Sequence, residues 1–323
     1  MWKIVIADYY YPDLKEEYKV FERLGETEIV DLTKIAEGGI KEPGELIPYV
    51  KDADALIVQF AKVNKEVIDS MERCRVIARY AIGVDTIDVE AAAARGICVA
   101  NVPDYCIDEV ADTAIAHIMN AKRKIARANS LLLAGEFDMA KIRPVGRMEN
   151  EVLCLIGFGN IARNVAGKMK SFFKEIVVYD PYVKDCGSYP EYRFLDFDEA
   201  VSCADVISLH VPLNGTTEHM LSDRAFGLMK QGAAVVNTAR GGLIDEAALV
   251  RALDMGKVGY CGLDVVSTEE FGSSPLLHRE EVFITPHMGW CSEEAIVELQ
   301  RKTAENVAET LLFGKPKYCV NKV

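Results

Sequence analysis

Residues 152–162, Val-Leu-Cys-Leu-Ile-Gly-Phe-Gly-Asn-Ile-Ala, leave this chain few folds to choose from. Val152 to Ile156 is an apolar run of strand length ended by glycine, which predicts a fully buried strand. Gly157, Gly159 and Ala162 follow at the spacing G-x-G-x-x-G/A. In that spacing the first position permits a tight turn and the second lets the backbone approach a pyrophosphate, because no Cβ intervenes. The third keeps the following helix close to the strand. Free N–H groups and the positive end of the helix dipole then face the phosphates. A second apolar strand, Ile176 to Tyr179, ends in Asp180, 23 residues after Gly157, where a carboxylate meets a ribose diol. Pro181 then shapes the adenine side.

At 323 residues the length suggests two domains, and half the residues are hydrophobic, enough for large cores. The net charge of −13 provides no electrostatic footprint for nucleic acid or an anionic membrane. The nine cysteines are scattered, odd in number and without a C-x-x-C pair, which reads as reduced thiols rather than disulfides or a metal site. The start, Met-Trp-Lys-Ile-Val-Ile-Ala-Asp, is a strand interrupted by charge and not a signal peptide. No run reaches the roughly 18 apolar residues of a membrane span. A cytoplasmic protein is expected.

The first hundred residues alternate strand-like runs (4–7, 28–32, 55–60, 76–81, 97–102) with polar helical stretches. Such alternation implies a parallel sheet with helices on both faces. Residues 107–134 read as one long helix with an acidic first turn, stopped at Gly135 and serving as a connector. A second alternating series supplies six strands, 152–156, 176–179, 206–211, 233–238, 260–265 and 282–285, and residues 293–313 form a terminal amphipathic helix. The expected fold class is α/β with two doubly wound parallel-sheet domains. Residues 1–101 with 290–323 form a flavodoxin-like substrate domain, and 102–289 a Rossmann cofactor domain. The active-site cleft is expected at their interface, with closure expelling water.

Three polar residues follow predicted strand ends in the second series. Arg240 stands on a glycine turn after 233–238, and its fork suits a carboxylate. Asp264 ends the next strand with Glu269 just beyond, and His287 follows the last. A lone histidine is more often structural, but these strand ends converge on the crevice that holds the glycine turn.

At these motifs the chain resembles the D-isomer-specific 2-hydroxyacid dehydrogenases. The resemblance spans nearly the whole chain: Gly157–Ala162, Ser208-Leu-His-Val-Pro212, Asn237–Asp245, Gly262-Leu-Asp-Val265 and Thr285-Pro-His287 occur in order. Asn101–Asp112 is most similar to the subgroup containing bacterial relatives of the C-terminal binding proteins. The resemblance implies an NAD-dependent oxidoreductase interconverting a 2-oxo acid and a D-2-hydroxy acid. In it Arg240 anchors the carboxylate, His287 is the acid/base and Glu269 is its partner. Ile82 and Gly83, in the loop Tyr80-Ala-Ile-Gly-Val84, match the backbone carboxylate-binding positions. Gly157, Gly159, Asn160, Ile161, Asp180, Pro181, His210, Val211, Pro212, Thr238, Ala239, Arg240, Asp264, His287 and Gly289 match cofactor contacts. No metal is implied; a homodimer built mainly on the cofactor domain is. The sequence departs from the family at Ala81, Ala162, Glu270 and Met148-Glu-Asn150.

The chemistry is coherent by itself. A 2-oxo acid needs its carboxylate anchored and its carbonyl oxygen protonated as hydride arrives, and a protonated histidine beside a carboxylate supplies that proton. The rival reading is an NAD(H)-responsive scaffold like the C-terminal binding protein corepressors. Among dehydrogenases, phosphoglycerate enzymes carry arginines after the third strand, where this chain has Val58 and Phe60 with Lys62 as the one base. Phe60, Tyr9 to Tyr11 and Trp290 are apolar or aromatic pocket candidates, so a substrate with an uncharged side chain is expected. His117, His219 and His278 read as structural.

Overall fold

The computed structural model describes residues 1–267 and 271–322. The chain forms two compact units, Met1–Tyr105 with Ser292–Val323, and Cys106–Cys291. The crossings fall four and two residues after those predicted from sequence (105 against 101, 291 against 289).

The first unit runs β1 (Trp2–Ile6), α1 (Lys15–Phe21), β2 (Thr27–Asp31), α2 (Pro43–Val50), β3 (Ala55–Val58), α3 (Lys65–Ser70), β4 (Val76–Arg79), α4 (Val89–Ala94) and β5 (Cys98–Ala100). Its sheet is parallel in the order β2-β1-β3-β4-β5, the flavodoxin-like arrangement. Every residue of β3 is buried, as expected of a strand covered on both faces. Two of these helices start at side-chain caps: for α3 Asn64 Oδ1 accepts the Val67 N–H, and for α4 Asp88 Oδ1 accepts the Ala91 N–H.

The second unit opens with α5 (Ile107–Arg123) and α6 (Ile125–Leu133), not one helix through 134. Lys124 breaks the run in the left-handed region, φ 52°, and Asn120 makes the break stable. Its carbonyl accepts the Lys124 N–H at 2.6 Å, and its Oδ1 caps α6 through the Ala126 N–H at 2.8 Å. There follow β6 (Val152–Ile156), α7 (Asn160–Met169), β7 (Glu175–Tyr179), β8 (Arg193–Phe194), α8 (Phe197–Cys203), β9 (Val206–Leu209), α9 (Asp223–Leu228), β10 (Ala233–Asn237), α10 (Glu246–Asp254), β11 (Val258–Leu263) and β12 (Val282–Ile284). The sheet is parallel, ordered β12-β11-β10-β9-β6-β7-β8. It has seven strands where the periodicity predicts six, because β8 is two residues long and too short to show a pattern. Strand order reverses between β6 and β9, the point at which doubly wound sheets open a ligand crevice.

The last helix, α11 (Glu293–Phe313), belongs to the first unit and packs on α1 and β4. Ser292 Oγ caps it through the Ala295 N–H, and Gly314, φ 87°, ends it. Buried Gln300 donates to Glu17 Oε2 at 3.0 Å, and Tyr80 donates to Glu17 Oε1 at 2.6 Å. One buried carboxylate thereby joins α1, α11 and the end of β4. All nine cysteines are free thiols. Among the described residues no helix is long and apolar enough to cross a membrane.

Candidate active site

In the second unit the site is built from strand ends. After β6, Gly157 has φ 94°, and a Cβ there would lie 2.6 Å from the His210 carbonyl oxygen and 2.8 Å from Val211 Cγ1. Glycine is therefore required twice, by conformation and by the approach of the chain leaving β9. Gly159 precedes α7 without a side-chain cap, and a Cβ built on it meets nothing within 4 Å. Asn160 and Ile161 open that helix. Ala162 is buried in the α7–sheet core. Asp180 takes a second duty: its Oδ2 accepts the Phe158 N–H and its Oδ1 the Tyr182 N–H, each at 2.8 Å. The acid thus braces the glycine turn while remaining partly exposed; Pro181 beside it is exposed. An open Gly159, an uncapped helix start and a braced carboxylate together fit a dinucleotide.

The His210 ring contacts Ser208 Oγ at 2.9 Å, and desolvation pushes its pKa down to about 4, so it is neutral at neutral pH. Val211 is half-buried and Pro212 exposed. After β10, Asn237 shapes the next turn: its Oδ1 accepts the Ala239 N–H at 3.0 Å and its Nδ2 donates to the Arg240 carbonyl at 2.8 Å. Thr238 is buried at the start of this turn, and Arg240 Nη1 donates to the Ala239 carbonyl at 2.7 Å. A Cβ on Gly241 would lie 2.1 Å from the Val266 carbonyl oxygen, and one on Gly242 2.9 Å from Leu213 Cδ2. The glycine pair therefore lets the loops after β9, β10 and β11 close on one another. Glu269 lies outside the described residues.

Asp264, 1% exposed, collects the final loop. Its Oδ1 accepts the Met288 N–H at 2.9 Å and its Oδ2 the Gly289 N–H at 2.8 Å. Its carbonyl accepts the His287 N–H at 2.9 Å. His287 adopts φ 53°, unusual for a residue with a Cβ, and these bonds hold it there. In the same sheet, then, the glycine turn, Asp180, Arg240, Asp264 and His287 all follow carboxyl ends of parallel strands.

In the first unit the loop after β4 carries Ile82 and Gly83, both half-buried. Asn101 Nδ2 donates to the Ile82 carbonyl at 2.6 Å, and the Val102 N–H to the Ala81 carbonyl at 2.9 Å. Asp8, fully buried, accepts the N–H groups of Gln59, Phe60 and Ala61 at 2.9, 2.7 and 3.2 Å, fixing the loop after β3. Of the three tyrosines, Tyr11 is buried edge-on against Tyr80 at 5.3 Å, Tyr9 donates to Asp31, and Tyr10 alone is exposed. Lys41, which sequence motifs do not single out, holds its Nζ 5.5 Å from the Phe60 ring. Asp8 has no periodicity or motif chemistry of its own, and within the Asn237–Asp245 motif the individual duties of Asn237 and Gly241 appear only in contacts.

A seven-stranded parallel sheet with a glycine turn at its switch point and a carboxylate after the next strand defines a dinucleotide-binding protein. Residues 115–289 match the model of the NAD binding domain of D-isomer specific 2-hydroxyacid dehydrogenases, and the chain belongs to that family. It is 38% identical over 314 residues to the D-3-phosphoglycerate dehydrogenase of Methanocaldococcus jannaschii, a match covering 96% of this chain but 58% of that protein. It is 34% identical over 291 residues to the glyoxylate reductase of Thermococcus litoralis, covering 86% of this chain and 87% of that one. Among solved structures, a glyoxylate reductase from Paecilomyes thermophila superposes with a TM-score of 0.87 at 26% identity, covering 99% of this chain and 98% of that one.

Proposed function

We propose that the protein is an NAD-dependent dehydrogenase that interconverts a 2-oxo acid and a D-2-hydroxy acid. The observation that carries this is the placement of Arg240, Asp264 and His287 at strand ends of the sheet that bears the glycine turn. When bound, NAD(H) carries the hydride. Gly157, Gly159, Asn160 and Ile161 receive its phosphates, and Asp180 its adenosine ribose. Pro181, His210 to Pro212, Thr238, Ala239, Asp264 and Gly289 wall the remainder. Arg240 grips the substrate carboxylate, with the N–H groups of Ile82 and Gly83 as further donors. His287 gives its proton to the carbonyl oxygen during reduction and takes it from the hydroxyl during oxidation, with Glu269 stabilising the imidazolium. Oxidation of NADH in the presence of 2-oxo acids tests the assignment, and absence of turnover on every acid would end it.

The protein is further proposed to act as a cytoplasmic homodimer. No residue of α6 is buried, and Leu133, Phe137 and Met139 in and after it are 81%, 82% and 68% exposed, an apolar surface suited to a second copy.

Asp180 sets the cofactor preference. Its carboxylate accepts from a ribose diol and repels a 2′-phosphate, so kcat/KM with NADH is expected to exceed that with NADPH by about 10²-fold. Equal values would remove Asp180 from the ribose site.

The proposed substrate has an uncharged, apolar side chain. A phosphate brings close to two negative charges and needs fixed basic partners. The loop that Asp8 fixes presents Phe60, 40% exposed, while Lys62 is solvent-exposed with its Nζ 3.7 Å from Glu42. Kinetics on pyruvate, 2-oxoisocaproate, phenylpyruvate and 3-phosphohydroxypyruvate should place one of the first three highest in kcat/KM. The highest value for the phosphorylated acid would overturn this and bring Lys41 and Lys62 into the site.

A further inference from the structure

His117 lies in α5, 168 residues before Thr285, and is 2% exposed. Its Nε2 is 3.0 Å from Thr285 Oγ1, and Thr285 Oγ1 donates to Asp264 Oδ1 at 2.6 Å. A hydroxyl has one proton. Given to Asp264, it leaves the Thr285 oxygen only as an acceptor toward His117, so the ring is the Nε2–H tautomer. Burial favours the neutral ring and holds the imidazole pKa below its ordinary value, against the opposing pull of the nearby Asp264 charge. Nδ1 then carries a bare lone pair, and it has no hydrogen-bond partner among the described residues. The ring is wedged in place: a Cβ on Gly262 would come within 2.8 Å of Nδ1, and the Phe283 ring lies 5.6 Å away. A histidine kept merely to fill space has no need of this single direction of donation.

We propose that His117 is a positioning residue for His287, acting through Thr285 and Asp264; this rests on the reading of His287 as the acid/base. The hydrogen bonds run one way, from His117 Nε2–H to Thr285 and from Thr285 to Asp264. They fix the rotation of a carboxylate whose two oxygens hold the Met288 and Gly289 N–H groups. His287 sits at the head of that segment with a left-handed backbone, so its ring starts from wherever Asp264 places the chain. Without the histidine proton, Thr285 is free to turn its hydroxyl away and the carboxylate loses its third donor.

His117→Leu should lower kcat about 5- to 10-fold, the worth of one buried hydrogen bond, while KM for the 2-oxo acid stays within about two-fold. His117→Gln, whose amide nitrogen reaches the Nε2 position, should restore most of the rate. Thr285→Val should cause the same fall as His117→Leu, and the double variant should be no slower than either. Nitrogen-15 NMR of the wild-type imidazoles should show a histidine protonated at Nε2 and bare at Nδ1 that is lost in His117→Gln. A wild-type rate for His117→Leu, no rescue by glutamine, additive losses, or an Nδ1–H tautomer would each overturn the proposal. If His117→Leu fails to fold, Thr285→Val and the NMR tautomer decide. A wild-type protein inert toward all 2-oxo acids would instead sink the dehydrogenase reading. The tautomer, and the protection of the Met288 and Gly289 amides from hydrogen exchange, would still test the relay.

Discussion

Replacing His287 by alanine is expected to lower kcat by about 10²–10⁴ while NADH still binds, the range over which a positioned general acid contributes. The expectation follows from where the side chain hangs. Its backbone is held in a left-handed conformation by the Asp264 carbonyl and its neighbours by the Asp264 carboxylate. Those bonds are to main-chain N–H groups and survive truncation of the ring, so the loop keeps its shape and the loss falls on proton transfer. NADH fluorescence titration beside steady-state kinetics separates the two. Near-normal turnover in the variant would remove His287 from the mechanism, and loss of NADH binding would make it a structural residue of the cofactor site.

Arg240→Gln should reduce kcat/KM for the 2-oxo acid by about 10²–10³-fold, chiefly through KM, because a desolvated charged pair broken on one side costs about 3–4 kcal/mol. Arg240→Lys should recover little, since an ammonium does not reproduce the two-pronged fork that matches a carboxylate. The guanidinium is aimed by its own turn: Asn237 holds the Arg240 carbonyl, and Arg240 Nη1 donates to the Ala239 carbonyl. The methyl ester of the same acid provides the control. Wild type and variant should handle it equally poorly, and a variant defect of equal size on the ester would assign Arg240 a role other than gripping the carboxylate.

Much of the fold is legible because its information is local. Val152–Ile156 is buried from Leu153 onward, so its apolar run reads directly, and Gly157 and Asp180 mark the turns at fixed offsets. Residues 293–313 read as the helix they form. What is hidden is either very short or long-range. Arg193–Phe194 has too few residues for a period, and the break at Lys124 depends on an asparagine side chain that also donates to Tyr260, far along the chain. Within the site, Arg240, Asp264 and His287 are legible as polar residues after apolar strands. The reason that Gly241 is a glycine lies in Val266, and the purpose of His117 lies in Thr285; neither pairing leaves a trace in spacing.

The place of α11 has a consequence in time. Residues 106–291 form an uninterrupted stretch, so the seven-stranded sheet has all its strands as soon as that stretch is made. The first unit is synthesised earlier yet stays incomplete, because the helix that covers α1 and β4, and supplies Gln300 to the buried Glu17, is translated some two hundred residues later. Until then Glu17 lacks one of its donors, and the apolar surface meant for α11 is open to solvent. Of the two units, the one whose synthesis begins earlier is therefore the later to be completed.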